Sequence, residues 1–150
     1  VLIQMRLVMF DLIKFFEGCR LEAYKCPAGK WTIGYGTTLY PDGTPVKEGD
    51  KITKEQADSY LEWYCANCIE LPKGVQFTHD QKAALYSLIY NIGQPAFDKS
   101  VCKKAIENMD WITAYRNWDW IRANGKVLKG LIKRRQTERE LFFDGLLWED

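Results

Sequence analysis

Polar and apolar positions change their rhythm along the chain, and the rhythm divides it. Met9, Leu12, Ile13 and Phe16 fall at the i, i+3, i+4, i+7 spacing of one helical face. This predicts a first helix over residues 1–17 that ends at Gly18, a usual C-terminal stop. From Trp31 the period drops to two, with Trp31, Ile33 and Tyr35 alternating with Thr32, Gly34 and Gly36. Pro27-Ala28-Gly29, Pro41-Asp42-Gly43, Pro45 and Gly49 punctuate residues 18–52 as short strands and turns. At Thr53 the helical period returns. Thr53-Lys54-Glu55-Gln56 and Thr78-His79-Asp80-Gln81 both read as capping boxes. The first opens a helix that buries Ala57, Tyr60, Leu61, Tyr64 and Cys68. The second opens one that buries Ala84, Leu85, Leu88, Ile89 and Ile92 and stops at Gly93. Further helices are expected near Ser100, Asp110 and Lys129, with turns at Asn108 and Asn124-Gly125. The pattern is α+β. A β-rich lobe of about 18–52 sits beside a helical lobe of 1–17 plus 53–150, with a cleft between them expected to take a polymer.

Composition sharpens this only in places. At 150 residues the chain is one domain, and 47% hydrophobic with 27% charged residues excludes disorder. A net charge of +1 gives no long-range attraction to nucleic acid. Six tryptophans point first to an aromatic core and secondarily to sugar-stacking platforms. Five cysteines, Cys19, Cys26, Cys65, Cys68 and Cys102, are too few and too odd for a disulfide scaffold. Cys65-Ala66-Asn67-Cys68 lacks partners for zinc and reads as helix packing. Val1 to Phe10 is too short for a membrane span, is broken by Gln4 and Arg6, and lacks a signal-cleavage pattern. The chain begins at Val, so removal of an upstream segment is allowed.

The chemistry concentrates between Phe15 and Thr38. Glu17 ends a helix beside an apolar stretch, where the dipole and desolvation both favour a protonated carboxyl. Thr32 shares its strand face with Gly34 and Gly36, whose missing side chains would let a ligand approach the backbone. Glu17, eight residues, Cys26, five residues, Thr32 and then Ile33-Gly34-Tyr35-Gly36 resembles the phage-type lysozyme (endolysin) motif, whose middle position is Asp or Cys. Tyr90-Asn91-Ile92-Gly93 with Phe97 and Ser100 is similar to that family's far cleft wall. Gly130-Leu131-Ile132-Lys133-Arg134-Arg135-Gln136-Thr137-Glu138 is similar to its C-terminal helix.

The resemblance implies a lysozyme-like fold and a muramidase that cuts the β-1,4 bond between N-acetylmuramic acid and N-acetylglucosamine. Glu17 would be the acid, Cys26 the base or nucleophile, and Thr32 the group that positions water, with inversion as the course. Gly34, Tyr35, Asn91 and Arg134 would bind substrate. Arg134 alternatively sits on a solvated face, paired with Glu138. No metal or cofactor is implied, and a monomer is expected. Its partner would be peptidoglycan glycan strands. Synthesis in a host bacterial cytoplasm would be followed by release or export to the periplasmic wall. Glu22, Asp42 and Asp50 are rival second carboxylates, and Thr37 stands where the family usually has His. A Cys19–Cys26 disulfide would cap the thiol and gate the enzyme by redox state. A silent wall-binding domain and a chitinase-like glycosidase are the alternative functions.

Overall fold

The structure, a computed structural model, describes residues 8–147. The first helix, α1 (Asp11–Glu17), begins only at Asp11, after a turn in which the Val8 and Asp11 amides are both satisfied. Of the earlier start expected for it, residues 1–7 lie outside the described residues, whereas residues 8–10 form that turn instead of helix. Gly18 ends α1 at φ +69°, its amide returning to the Lys14 carbonyl at 3.1 Å, a single-bond left-handed cap.

Strands β1 (Arg20–Lys25) and β2 (Trp31–Gly34) then pair antiparallel, with Tyr24 opposite Thr32 and Lys25 opposite Trp31. The connection is a three-residue loop, Pro27-Ala28-Gly29. Gly29 donates to Cys26 O at 2.8 Å, Cys26 donates to Lys30 O at 2.9 Å, and Gly29 takes φ +81°. This is a type I turn closed by a bulge, with Pro and Gly where that geometry wants them. The other edge of β1 is covered by residues 50–52, since Ala23 donates to Asp50 O and Ile52 donates to Leu21 O, each at 2.9 Å.

Five further helices carry most of the remaining chain, named α2 (Lys54–Cys68), α3 (His79–Ile92), α4 (Gln94–Asp98), α5 (Val101–Glu107) and α6 (Trp111–Arg116). A two-residue hairpin, β3 (Arg122–Ala123) and β4 (Lys126–Val127), turns at Asn124-Gly125, and α7 (Lys129–Phe143) follows. Both expected capping boxes form, at Thr53 with Gln56 and at Thr78 with Gln81. Ser100 and Asp110 cap α5 and α6. The buried face of α2 differs from the expected one. Ala57, Leu61 and Cys65 are buried, whereas Tyr60 is half-buried and Tyr64 and Cys68 are exposed. The i+4 row of small and aliphatic residues packs instead, and the two larger tyrosines stay partly solvated.

The architecture is α+β, in two compact units. One runs from Leu12 to Ile69; the other joins the described residues before Leu12 to those from Glu70 onward. In the first unit Gly34 packs β2 onto α2, and Ile13, Ile33 and Leu61 form its centre. In the second, α3 lies on α7 around an aromatic core. Trp118 packs against Phe142 at 5.1 Å and Phe143 at 5.5 Å between ring centroids, and all three are buried. No helix among the described residues is long and apolar enough to cross a membrane.

Candidate active site

The register of the hairpin decides which side chains meet. Tyr24 faces Thr32 across the ladder and Cys26 faces Lys30, so Cys26 and Thr32 stand on the same side of the sheet near its turn. Thr32 is buried and directs its hydroxyl at the Lys30 carbonyl, 3.1 Å away. The half-buried Cys26 thiol is held below its ordinary value, first by the Lys30 backbone N–H and, against some desolvation, by the Ala28 N–H and the Thr32 hydroxyl. The turn that closes the hairpin is therefore also the group of donors that makes the thiol acidic. Pro27-Ala28-Gly29 is a visible turn in the sequence, but its amides have no side-chain signature.

Glu17 is the last residue of α1 and is exposed, so the burial expected from its apolar neighbours is not what the fold provides. Its placement comes from the turn before it. Lys14 pairs with Asp58 of α2 at 3.3 Å, and Asp58 also accepts from the Tyr35 hydroxyl at 2.8 Å. These bonds, the Tyr35 one foremost, hold the Asp58 carboxyl below its usual range, while burial and then Asp58 push the Tyr35 phenol up. The clamp ties the end of α1 to α2 and the end of β2. Asp58 was invisible to sequence reasoning, which saw only an exposed acid in a helix; its spacing to Tyr35 spans 23 residues.

Two expected substrate ligands in this unit serve packing instead. Gly34 is buried at φ +63°, and a Cβ there would lie 3.3 Å from Ala57 Cβ and 3.5 Å from Ile52 Cδ1. The close approach is made by α2 rather than by a ligand. Tyr35 is 3% exposed with its hydroxyl committed to Asp58. The rival acids Asp42 and Asp50 are bound into the loop after β2, to Thr44 and to Tyr40 and the Lys47 amide.

Asn91 and Arg134 lie in the helical unit. Asn91 is exposed at the end of α3, and its side-chain oxygen accepts from Arg135 at 2.9 Å. Arg134 is 3% exposed, bonded to the Ser87 hydroxyl at 3.2 Å and carbonyl at 3.1 Å, with Glu138 at 3.5 Å. Neither a sugar-binding surface nor a solvated face fits a guanidinium so enclosed. Arg135 and Glu138 are fully buried too, and Glu138 additionally accepts from Ser87 at 2.6 Å and Trp118 at 3.2 Å. What reads as a run of surface charge is the polar centre of this unit.

All five cysteines are free thiols. Cys19 and Cys26 flank opposite ends of β1. A six-residue strand spans roughly 17–20 Å, while a disulfide needs Cα atoms within about 7 Å. The expected Cys19–Cys26 bond is therefore incompatible with this hairpin. Within the folded unit the Cys19 thiol stands near the Tyr35 hydroxyl instead.

An α+β chain with an acid at the end of its first helix and a thiol and hydroxyl on the following hairpin defines a lysozyme-like protein. Comparison with known proteins agrees. The Phage lysozyme family model matches residues 14–138. The endolysin of Acyrthosiphon pisum secondary endosymbiont phage 1 is 42% identical over 139 residues, covering 87% of this chain and 92% of that protein. The solved endolysin from Escherichia coli O157:H7 phage FAHEc1 superposes with a TM-score of 0.76 at 37% identity, covering 97% and 98% of the two chains. The muramidase domain of SpmX from Asticaccaulis excentricus gives 0.70 at 34% identity, with 89% and 93% covered. The chain belongs to the phage lysozyme family. It is a glycoside hydrolase of the lysozyme type, and peptidoglycan of the cell wall is its substrate.

Proposed function

We propose that the protein is a muramidase that hydrolyses the β-1,4 bond between N-acetylmuramic acid and N-acetylglucosamine, with Glu17, Cys26 and Thr32 as catalytic residues. The observation that carries this reading is the juxtaposition of Cys26 with Thr32 at a turn whose amides acidify the thiol. Glu17 donates its proton to the leaving oxygen as the glycosidic bond breaks. Water attacks the anomeric carbon from the opposite face and loses its proton to the Cys26 thiolate, which gives inversion. The Thr32 hydroxyl has one proton to give. It points to Lys30 O when Cys26 is a thiol, and it supports the sulfur and orients the water when Cys26 is a thiolate. Asn91 keeps its side-chain NH2 for an N-acetyl group, since its oxygen already serves Arg135. The molecule acts as a single lysozyme-like domain and as a monomer, is made in the host cytoplasm, and reaches the wall by release or export to complete host lysis.

Redox control of this site takes a different form from a cap on a finished fold. A Cys19–Cys26 bond would require β1 to be undone, which removes the face shared by Cys26 and Thr32. The oxidised enzyme is then off because its hairpin is absent, and reduction restores the strand.

Purified walls with and without reductant, tested beside Glu17→Gln, decide between these readings. The wild type should clear walls, and Glu17→Gln should lose about 10²- to 10⁴-fold, the usual contribution of a general acid. Wall binding without release of reducing ends would instead mark a silent binding domain. Clearing that is indifferent to reductant, with no Cys19–Cys26 peptide in non-reducing mass spectrometry, would remove the redox control.

A further inference from the structure

The unit that carries Cys26 also holds a cavity of about 550 Å³ on the loop after β2. Its lining includes Tyr40, Asp42, Lys47, Asp50, Lys51 and Tyr60. The size is that of a ligand pocket, and the groups around it are set in place. Asp42 Oδ1 accepts from the Thr44 amide at 2.9 Å and hydroxyl at 2.7 Å. Asp50 Oδ2 accepts from the Tyr40 hydroxyl at 2.7 Å and the Lys47 amide at 3.0 Å. The second oxygen of each carboxylate has no protein partner among the described residues. Among the described residues neither Lys47 nor Lys51 closes an ion pair within 4.0 Å, although the Lys47 charge helps to hold Asp50 ionised, and the Tyr60 hydroxyl makes no hydrogen bond. The Tyr40 and Tyr60 rings lie 5.4 Å apart and tilted by 60°, giving the cavity an apolar floor.

Two fixed carboxylates and two ammonium groups outside any close ion pair, around a tyrosine floor, select a ligand class. A divalent cation would face both lysines, and a polyanion would face both aspartates. A neutral saccharide would answer none of the four charges. A short peptide carrying ammonium and carboxylate groups answers both signs and lays its apolar parts on the rings. We propose that this cavity binds the peptide substituents of the wall polymer, short chains that bear free carboxylates and a diamino acid. The assignment rests on the peptidoglycan reading above. The donors that acidify Asp42, Thr44 first, and Asp50, the Lys47 amide first, keep both carboxylates charged well into the acid range. Because residues 50–52 hydrogen-bond along β1, a peptide seated here is tied through that strand to the turn holding Cys26.

The test has a binding arm and a kinetic arm, both on the full chain. In the first, amide signals of the wild type are followed by NMR on adding a synthetic tetrapeptide of γ-linked D-Glu and a diamino acid, or a neutral N-acetylglucosamine tetramer. The peptide should move signals of Tyr40–Thr44 and Lys47–Ile52, and Asp42→Asn with Lys51→Ala should weaken it about tenfold. In the second, the double variant should raise KM several-fold on intact walls at unchanged kcat, and leave hydrolysis of peptide-stripped glycan as it was. Signals that stay still at millimolar peptide, or that respond to the tetramer instead, overturn the proposal. So does an equal rise in KM on both substrates. If the wild type cleaves neither substrate, the muramidase reading falls, while the binding arm still decides the cavity.

Discussion

In the proposed mechanism Cys26 can serve as base because hydrogen-bond donors reach its sulfur, chiefly the Lys30 amide, then the Ala28 amide and the Thr32 hydroxyl. The sign is fixed by those donors: they favour the thiolate, so it is populated above a value lower than the ordinary thiol value of about 8.5 and lost as pH falls through it. Wall hydrolysis should rise along that limb. Thr32→Val removes a donor, so the limb should move to higher pH and activity at neutral pH should drop several-fold. Cys26→Asp should abolish the limb near neutrality and make the enzyme indifferent to thiol alkylation. Rate–pH profiles of the three proteins, taken with iodoacetamide controls, check this; a limb unmoved in Thr32→Val would detach the hydroxyl from the thiol. At this scale the sequence could mark the proposed catalytic groups Glu17, Cys26 and Thr32, because each residue type announces its chemistry. It was silent on Asp58 and on the turn amides, which matter through backbone geometry and long-range pairing.

Among the elements, the hairpin and its packing on α2 depend most on one position. Gly34 combines φ +63° with a wall of Ala57 and Ile52, so a methyl there meets strain and a 3.3 Å contact together. Gly34→Ala should cost about 1–3 kcal/mol, from left-handed backbone strain and overpacking. Urea unfolding would show it, and an unchanged midpoint would mean that α2 yields freely. Element boundaries were readable wherever a side chain makes the cap. Thr53, Thr78, Ser100 and Asp110 each stand where the sequence marks a start, and Gly18 and Gly93 where it marks a stop. The face of α2 was misjudged because Tyr60 and Tyr64 count as apolar in a periodicity yet remain partly solvated. The short α4 and the β3–β4 pair escaped because five- and two-residue elements contain no full period.

For the molecule as a whole, the decisive misreading concerned charge. Arg134, Arg135 and Glu138 follow the spacing of a solvated ion-pair face but close the interior of the helical unit, shared with Ser87 and Trp118. A burial pattern set by tertiary packing overrides what charge alone suggests. Glu138→Gln leaves two buried guanidiniums short of a carboxylate, so a loss of roughly 3–5 kcal/mol is expected. Thermal unfolding would measure it, and a change below about 1 kcal/mol would show that other groups carry the cluster.

The division of the chain into units has a consequence for its synthesis. Leu12 to Ile69 is a continuous stretch and can close as soon as it has left the ribosome. The helical unit is discontinuous, because the residues before Leu12, among them Phe10 packed on Tyr86 at 5.3 Å, join a unit whose remainder comes after Ile69. Its first piece must therefore wait for the last half of the chain to be translated. Until then, the hairpin bearing the reactive thiol is already formed on a chain whose remaining helices are still being made.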